Sequence, residues 1–353
     1  MADFATINDA GSYFNTALYT GNSSSAEIAV TGLGFAPNFV WLKNRDATYD
    51  FFMFDSARGA TKYLRSNTAA AEGTVAQTLK SFDSDGYTLG TDSDVNYLTS
   101  GYGSWSWLGG TTSGIATDGS TTITPSAYSF NQTSGFSAIA YTGNYVQGAK
   151  LAHGLGVIPE VVFIKNLQTA NDWSVYSYYM KTTNPWDWFQ QLNGTTVPVD
   201  STGYWDDTAP DAVNMTLGND NGVNGSSHPM VAYCFASVKG FSKMGAYTGN
   251  GDAFGTFVYT GFKPALIILK DTAAGNNWVL FDNKRLGYNP DNNAFYPNDN
   301  LVEATTDLVD LVSNGFKFKN SHSGINANGS VYIYLAFAED PFVNTNGVPN
   351  NAR

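Results

Sequence analysis

Tyr141-Thr-Gly-Asn144, then Gly156-Val-Ile-Pro159, then Val161-Val-Phe-Ile-Lys165 is the series that decides the fold, because it occurs three times. Tyr19-Thr-Gly-Asn22 leads to Gly34-Phe-Ala-Pro37 and Phe39-Val-Trp-Leu-Lys43. Tyr247-Thr-Gly-Asn250 leads to Gly261-Phe-Lys-Pro264 and Ala265-Leu-Ile-Ile-Leu-Lys270. From Thr to Pro the interval is 17, 17 and 16 residues, and from Pro to Lys it is 6 in every copy. The copies start 122 and 106 residues apart, too far for a solenoid unit and about right for a small domain. The repeat is therefore defined by Gly21, Asn22, Pro37 and Lys43, by Gly143, Asn144, Pro159 and Lys165, and by Gly249, Asn250, Pro264 and Lys270.

Each piece of the series reads as β structure. The Tyr closes a strand, and Gly and Asn supply the positive φ of a tight turn. Pro cannot donate to a ladder, so it sits at the first residue or edge of the next strand. The apolar run that follows is continuous, as expected of a strand buried on both faces. Composition agrees: 36 Gly and 15% aromatics against only 14% charged residues favour short strands and turns over helices.

These readings predict an all-β chain of three tandem homologous β-sandwich-like domains with few short helices. An N-terminal arm, for docking or as a first strand tied to the first repeat, spans 1–16, the repeats 17–110, 135–242 and 243–340, a Gly/Ser/Thr-rich linker 111–134, and a polar C-terminal tail 341–353. Helix-like spacing occurs at Asn67–Leu79 and Leu301–Val312, where one short helix per repeat would fall.

Repetition sorts the aromatics. Trp41, Phe163 and Ile268 share one offset from their Pro; Phe51, Trp173 and Trp278 share a second, and Phe54, Tyr176 and Phe281 a third. Residues kept in all three copies are expected in the core. Lys43, Lys165 and Lys270 close a strand and are expected at solvated strand ends, or paired with a carboxylate such as Asp55 or Asp282. Outside the pattern stands Asn184-Pro-Trp186-Asp-Trp188-Phe189-Gln-Gln191, with Trp205 close in sequence. Trp rings flanked by amides and carboxylates suit a glycan-binding or protein-interface surface; burial beneath a long loop is the alternative.

The net charge of −12 and the lack of a basic run exclude nucleic acid as a partner. No apolar run approaches the ~20 residues of a membrane span, so no membrane insertion is expected. The opening Met1-Ala-Asp-Phe-Ala-Thr-Ile-Asn8 lacks a secretory pattern, so synthesis in a cytoplasm without a signal peptide is expected. Cys234 is the single cysteine, among apolar neighbours, and reads as a small hydrophobe. His153, His228 and His322 fall at unmatched offsets without metal spacing. Asp83-Ser-Asp85-Gly86 and Asp92-Ser-Asp94 resemble the opening of a calcium loop, but no Glu closes it. No cofactor is expected, a shallow Ca2+ site in an acidic loop being the alternative. Nucleophile elbows, phosphate loops and dinucleotide fingerprints are missing from the sequence.

Tyr-Thr-Gly-Asn, His153-Gly-Leu-Gly-Val-Ile-Pro159 and Phe163-Ile-Lys-Asn166 together resemble a repeat domain common in tailed phages of marine bacteria, including cyanophages. Phe4-Ala-Thr-Ile7, Trp41-Leu-Lys-Asn-Arg-Asp46, Asp85-Gly-Tyr-Thr-Leu-Gly90 and Ala336-Phe-Ala-Glu339 extend the likeness over nearly the whole chain. The third repeat departs from it, having Val258-Tyr-Thr-Gly-Phe262 where the His-Gly-Leu-Gly segment would stand.

The resemblance implies a non-enzymatic structural protein of the virion, a tail fibre or tail-associated protein in host adsorption. The alternative is a capsid decoration, cement or head-fibre protein on the outside of the head. Other virion proteins are the implied partners, with a host surface glycan or receptor and further copies of the chain in the particle. No catalytic residues follow from the resemblance.

Overall fold

Alternation of side chains along strands whose two faces are both apolar dictates layers on either side of each sheet. The computed structural model describes residues 4–22, 26–285, 289 and 292–349, and it is all-β. In the first unit the large sheet orders strands Phe14–Thr20, Gly101–Trp107, Phe39–Asn44 and Phe52–Asp55, extended by Lys62–Arg65 and Gly73–Thr74. In the second unit Phe136–Thr142, Pro229–Phe235, Val161–Asn166 and Ser174–Ser177 follow the same order. In the third they are Ser242–Thr248, Val331–Pro341, Phe262–Asp271 and Val279–Asp282. Each unit adds a small second sheet: Ile28–Thr31, Gly86–Leu89 and Leu79–Asp83; Ala149–Ala152 and Asn214–Leu217; Phe257–Tyr259, Gly315–Phe318 and Val309–Val312.

The Tyr-Thr-Gly-Asn turn docks a four-residue helix that closes each unit: Ser93–Asn96, Asn221–Asn224 and Ser323–Asn326. The Tyr19, Tyr141 and Tyr247 hydroxyls donate to the carbonyls of Val95, Val223 and Ile325. The backbone N–H groups of Asn22, Asn144 and Asn250 donate to the side chains of Asn96, Asn224 and Asn326, which are fully buried. Gly21, Gly143 and Gly249 do not have the positive φ expected of them; a Cβ there would overlap the carbonyl oxygens of Tyr97, Gly225 and Ala327. Close backbone approach, not turn geometry, selects glycine.

Alternate residues of the central strands serve two cores. Val40, Leu42, Phe52 and Phe54 face the small sheet of the first unit, as Val162, Ile164, Met230 and Ala232 do in the second. Phe39, Trp41, Trp105 and Trp107 face the other way, into a core shared with Phe163, Tyr233 and Phe235 of the second unit and Ile268, Leu335 and Phe337 of the third. At its centre the equivalent residues Trp107, Phe235 and Phe337 touch one another, with ring centroids 6.2, 5.3 and 5.9 Å apart. Mutual contact of three equivalent residues places them on an approximate threefold axis. The units are thus not independent tandem domains: the inner face of each large sheet is too apolar to meet water and is covered by the other two. The residues kept at all three offsets, Trp41 to Phe281, are all buried.

Polar bonds close the ring. Between units one and two, Trp173 Nε1 donates to Arg65 O at 2.9 Å and Lys165 Nζ to Ala69 O at 2.9 Å. Between two and three the equivalent bonds run from Trp278 Nε1 to Gln191 O at 2.8 Å and from Lys270 Nζ to Thr195 O at 3.0 Å. Units three and one are joined by Arg45 and Glu303 at 2.5 Å, and by Ser66 Oγ donating to Pro297 O.

The repeated lysines therefore do not end in solvent. Lys43, Lys165 and Lys270 are fully buried, each donating to two backbone carbonyls, and among the described residues none has an ion-pair partner within 4 Å. Asp55 and Asp282 pair with Arg58 and Arg285 instead. Burial lowers all three lysines from 10.5 to about 8. Above pH 8 the folded state releases these protons while the unfolded chain keeps them, so stability rises with pH up to about 10. Beyond that the sign reverses. Tyr141, Tyr233 and Tyr247, raised chiefly by burial, stay protonated when unfolded tyrosine ionises near 10.0. We expect the urea midpoint to climb between pH 8 and 10, by about 2 kcal/mol per lysine, and Lys165→Met to remove about a third of the slope. A flat or falling midpoint across that window would refute the account.

Other segments take their form from tertiary contacts. Residues 67–79 and 301–312 form no helix: Ala69 O, Glu72 N and Glu303 N are spent on bonds to neighbouring units, and tertiary contact overrides propensity. The linker 111–134 is not merely a connector, since Ala127–Asn131 is the edge strand of the second large sheet. The arm 1–16 already contains the start of strand Phe14–Thr20, with Ala5, Ile7 and Ala10 buried and Thr6 N donating to Lys239 O. The tail is tied to that arm through Asn8 and Thr345. The first three residues of the arm and the last four of the tail lie outside the described residues.

Candidate functional site

After strand Ser174–Ser177 the second unit carries a loop, 178–187, that is longer than the connection at the same place in the first unit. Met180 anchors it in the shared core, and Tyr179 Oη donates to Glu160 Oε1 at 3.0 Å. Asn184 adopts a left-handed φ of 45° ahead of the buried Pro185, and Asp187 N donates back to Asn184 O. Trp188 then opens strand Trp188–Gln191, with the Lys181 ammonium 4.4 Å from the centre of its ring.

This loop forms one wall of a cleft of about 750 Å3; Ala246, Thr272 and Val331 of the third unit form the other. That volume lies within the ~300–1,000 Å3 of small-ligand sites. Tyr178, 47% exposed, and Trp186, half-buried where it packs on the core of the second unit, line the cleft beside the exposed Thr182, Thr183 and Asn184. Aromatic faces, hydroxyls, an amide and one ammonium are groups that hold a ligand.

The sequence cluster is divided by the structure. Trp205 is 1% exposed, its indole N–H donating to Trp188 O, and Phe189 is buried against Tyr204. Neither presents a face to a partner, because both fill the core beneath the loop; the surface part of the cluster is Trp186 and Trp188. Tyr178 and Lys181 were not singled out by the sequence. The Asp-x-x-Arg of Asp55 and Arg58, repeated in Asp282 and Arg285, becomes Ser177 and Met180 in the second unit, where the cleft opens.

The remaining polar candidates have structural work. His153 is buried between Asp211 O and Leu155 N, and its pKa is lowered by burial. His228 meets Asn166, and His322 caps Ser323–Asn326. Asp85 accepts from Gly32 N and Gly34 N, and Asp92 caps Ser93–Asn96. Burial pushes the Cys234 thiol up. Among the described residues no group of three or more His, Cys, Asp or Glu side chains is placed to hold a metal.

The family described as Domain of unknown function (DUF7483) matches residues 9–341. No curated protein and no solved structure matches the chain.

Proposed function

The chain belongs to the DUF7483 family, and from that premise we propose that it is a non-enzymatic structural protein of a tailed phage virion, a tail fibre or tail-associated protein in host adsorption. The observation that carries the reading is the closed ring. Three like units share one core, and the deeply buried ion pairs, Asp55–Arg58 and Asp282–Arg285, are spent on joining them. Such a body suits a rigid part of an assembly, and the motif resemblance supports a virion as that assembly. The cleft beside Trp186 supplies a surface for a host glycan.

The approximate threefold axis through Trp107, Phe235 and Phe337 favours a second reading, a decoration protein at a threefold position of the head. Antibody labelling of purified virions, viewed by electron microscopy, separates the two. Label at the tail is the expected result. Label spread over the head would move the protein to the decoration role, and unlabelled particles would sink both readings.

A further inference from the structure

The three interfaces of the ring are alike in place and unlike in chemistry. Between units one and two, Asp55 Oδ2 accepts from Arg58 Nε at 2.5 Å and from the Tyr233 hydroxyl at 2.6 Å. Between units three and one, Asp282 Oδ2 accepts from Arg285 Nε at 2.6 Å and from Trp105 Nε1 at 3.1 Å. At the interface of units two and three the equivalent residues are Ser177, Met180 and Leu335. Three changes there remove the carboxylate, the guanidinium and the donor from across the interface together. The cleft opens at this interface, and Met180 lines it.

We propose that the cleft between the second and third units binds a neutral oligosaccharide. Sugar rings carry an apolar face edged by hydroxyls. Tyr178 and Trp186 offer aromatic faces to the first, while Asn184, Thr182 and Thr183 offer an amide and hydroxyls to the second. The net charge of −12 repels an anionic chain, and the one lysine in the lining, held over the Trp188 ring, is the single local charge set against that repulsion. Pro185, the Asn184–Asp187 bond and the Tyr179–Glu160 bond set the loop in place before a ligand arrives, which lowers the ordering cost of binding. The biological purpose of the site rests on the adsorption reading; its existence does not.

The test is titration calorimetry of the full chain with neutral glucose and mannose hexasaccharides, with polygalacturonate as the anionic control, and adsorption to host cells in parallel. We expect at least one neutral hexasaccharide to bind, and Tyr178→Ala and Trp186→Ala each to weaken it by ~10-fold or more, the first without moving the melting temperature. Tyr178→Ala is a surface change, so the test survives if Trp186→Ala misfolds. No neutral binding, tighter binding of polygalacturonate, or full affinity in Tyr178→Ala overturns the proposal. Cell adsorption that Tyr178→Ala leaves intact takes the cleft out of adsorption but keeps the adsorption role. Oligosaccharide binding lost in Tyr178→Ala, with no adsorption of the wild type, keeps the cleft and removes the role.

Discussion

A fragment comprising residues 111–242 alone is expected not to fold, although it holds every strand of the second unit and its small sheet. The inner face of its large sheet presents Phe136, Val161, Phe163, Trp173, Val231, Tyr233 and Phe235, all buried against the other units. Exposing that many large side chains forfeits roughly 1.5–3 kcal/mol each, which together is as large as the ~5–15 kcal/mol a domain has to lose. The same reasoning makes the axial aromatics the most sensitive point of the full chain. Trp107→Ala empties the place where three units meet and is expected to cost about 3–5 kcal/mol. Because all three units lean on that contact, unfolding should remain one transition, shifted as a whole. Circular dichroism with thermal melting checks both. A fragment that melts cooperatively near the full chain's temperature, or a Trp107→Ala chain melting in two steps, would show that the units are independent after all.

The second large effect lies at the ion-paired interfaces. Asp55 and Arg58 are essentially inaccessible, with side chains 0% and 1% exposed. Although burial by itself lowers the Arg58 pKa, Asp55, Tyr233 and Glu72 together raise it above its ordinary value. Asp55→Ala leaves that guanidinium buried beside the more distant Glu72, and is expected to cost about 3–5 kcal/mol. The chain itself contains an uncharged solution to the same place, Ser177 with Met180. The double variant Asp55→Ser with Arg58→Met adopts it, removes the charge with its partner, and keeps an acceptor for the Tyr233 hydroxyl. It should therefore be more stable than Asp55→Ala despite carrying more changes. Urea denaturation of the two variants beside the wild type decides the order; a double variant as weak as the single would mean that lost packing, not stranded charge, sets the cost.

Part of the candidate site could be read in advance. Trp186 and Trp188 stood out because nothing in the other repeats matched them, and both reach the surface around the loop. Trp205 and Phe189 stood out equally and are buried, since sequence spacing does not tell a ring that faces out of a loop from one that fills the space under it. Tyr178 carries no mark of its own, since a single Tyr at the end of a strand is ordinary. The change from Asp and Arg to Ser177 and Met180 was visible as a break in the pattern, yet its meaning required knowing that Tyr233, Trp105 and Leu335 lie across three different interfaces.

What the sequence determined by itself was local in origin. Turn residues at regular intervals, apolar runs of strand length and a threefold internal repeat are enough to specify β units and the residues that fill them, because alternation and turn chemistry act between near neighbours. Lys43, Lys165 and Lys270 mark the limit: their recurrence was plain, while their burial was not, since the carbonyls that hold Lys165 and Lys270 include Ala69 O and Thr195 O of the preceding unit. Whether three such units string out or close was decided by tertiary structure alone. A strand apolar on both faces needs two covers, and the sequence of one unit supplies only the small sheet on one side. The second cover is the other two units, and the bonds that seat it join residues far apart in the chain, such as Trp105 and Asp282.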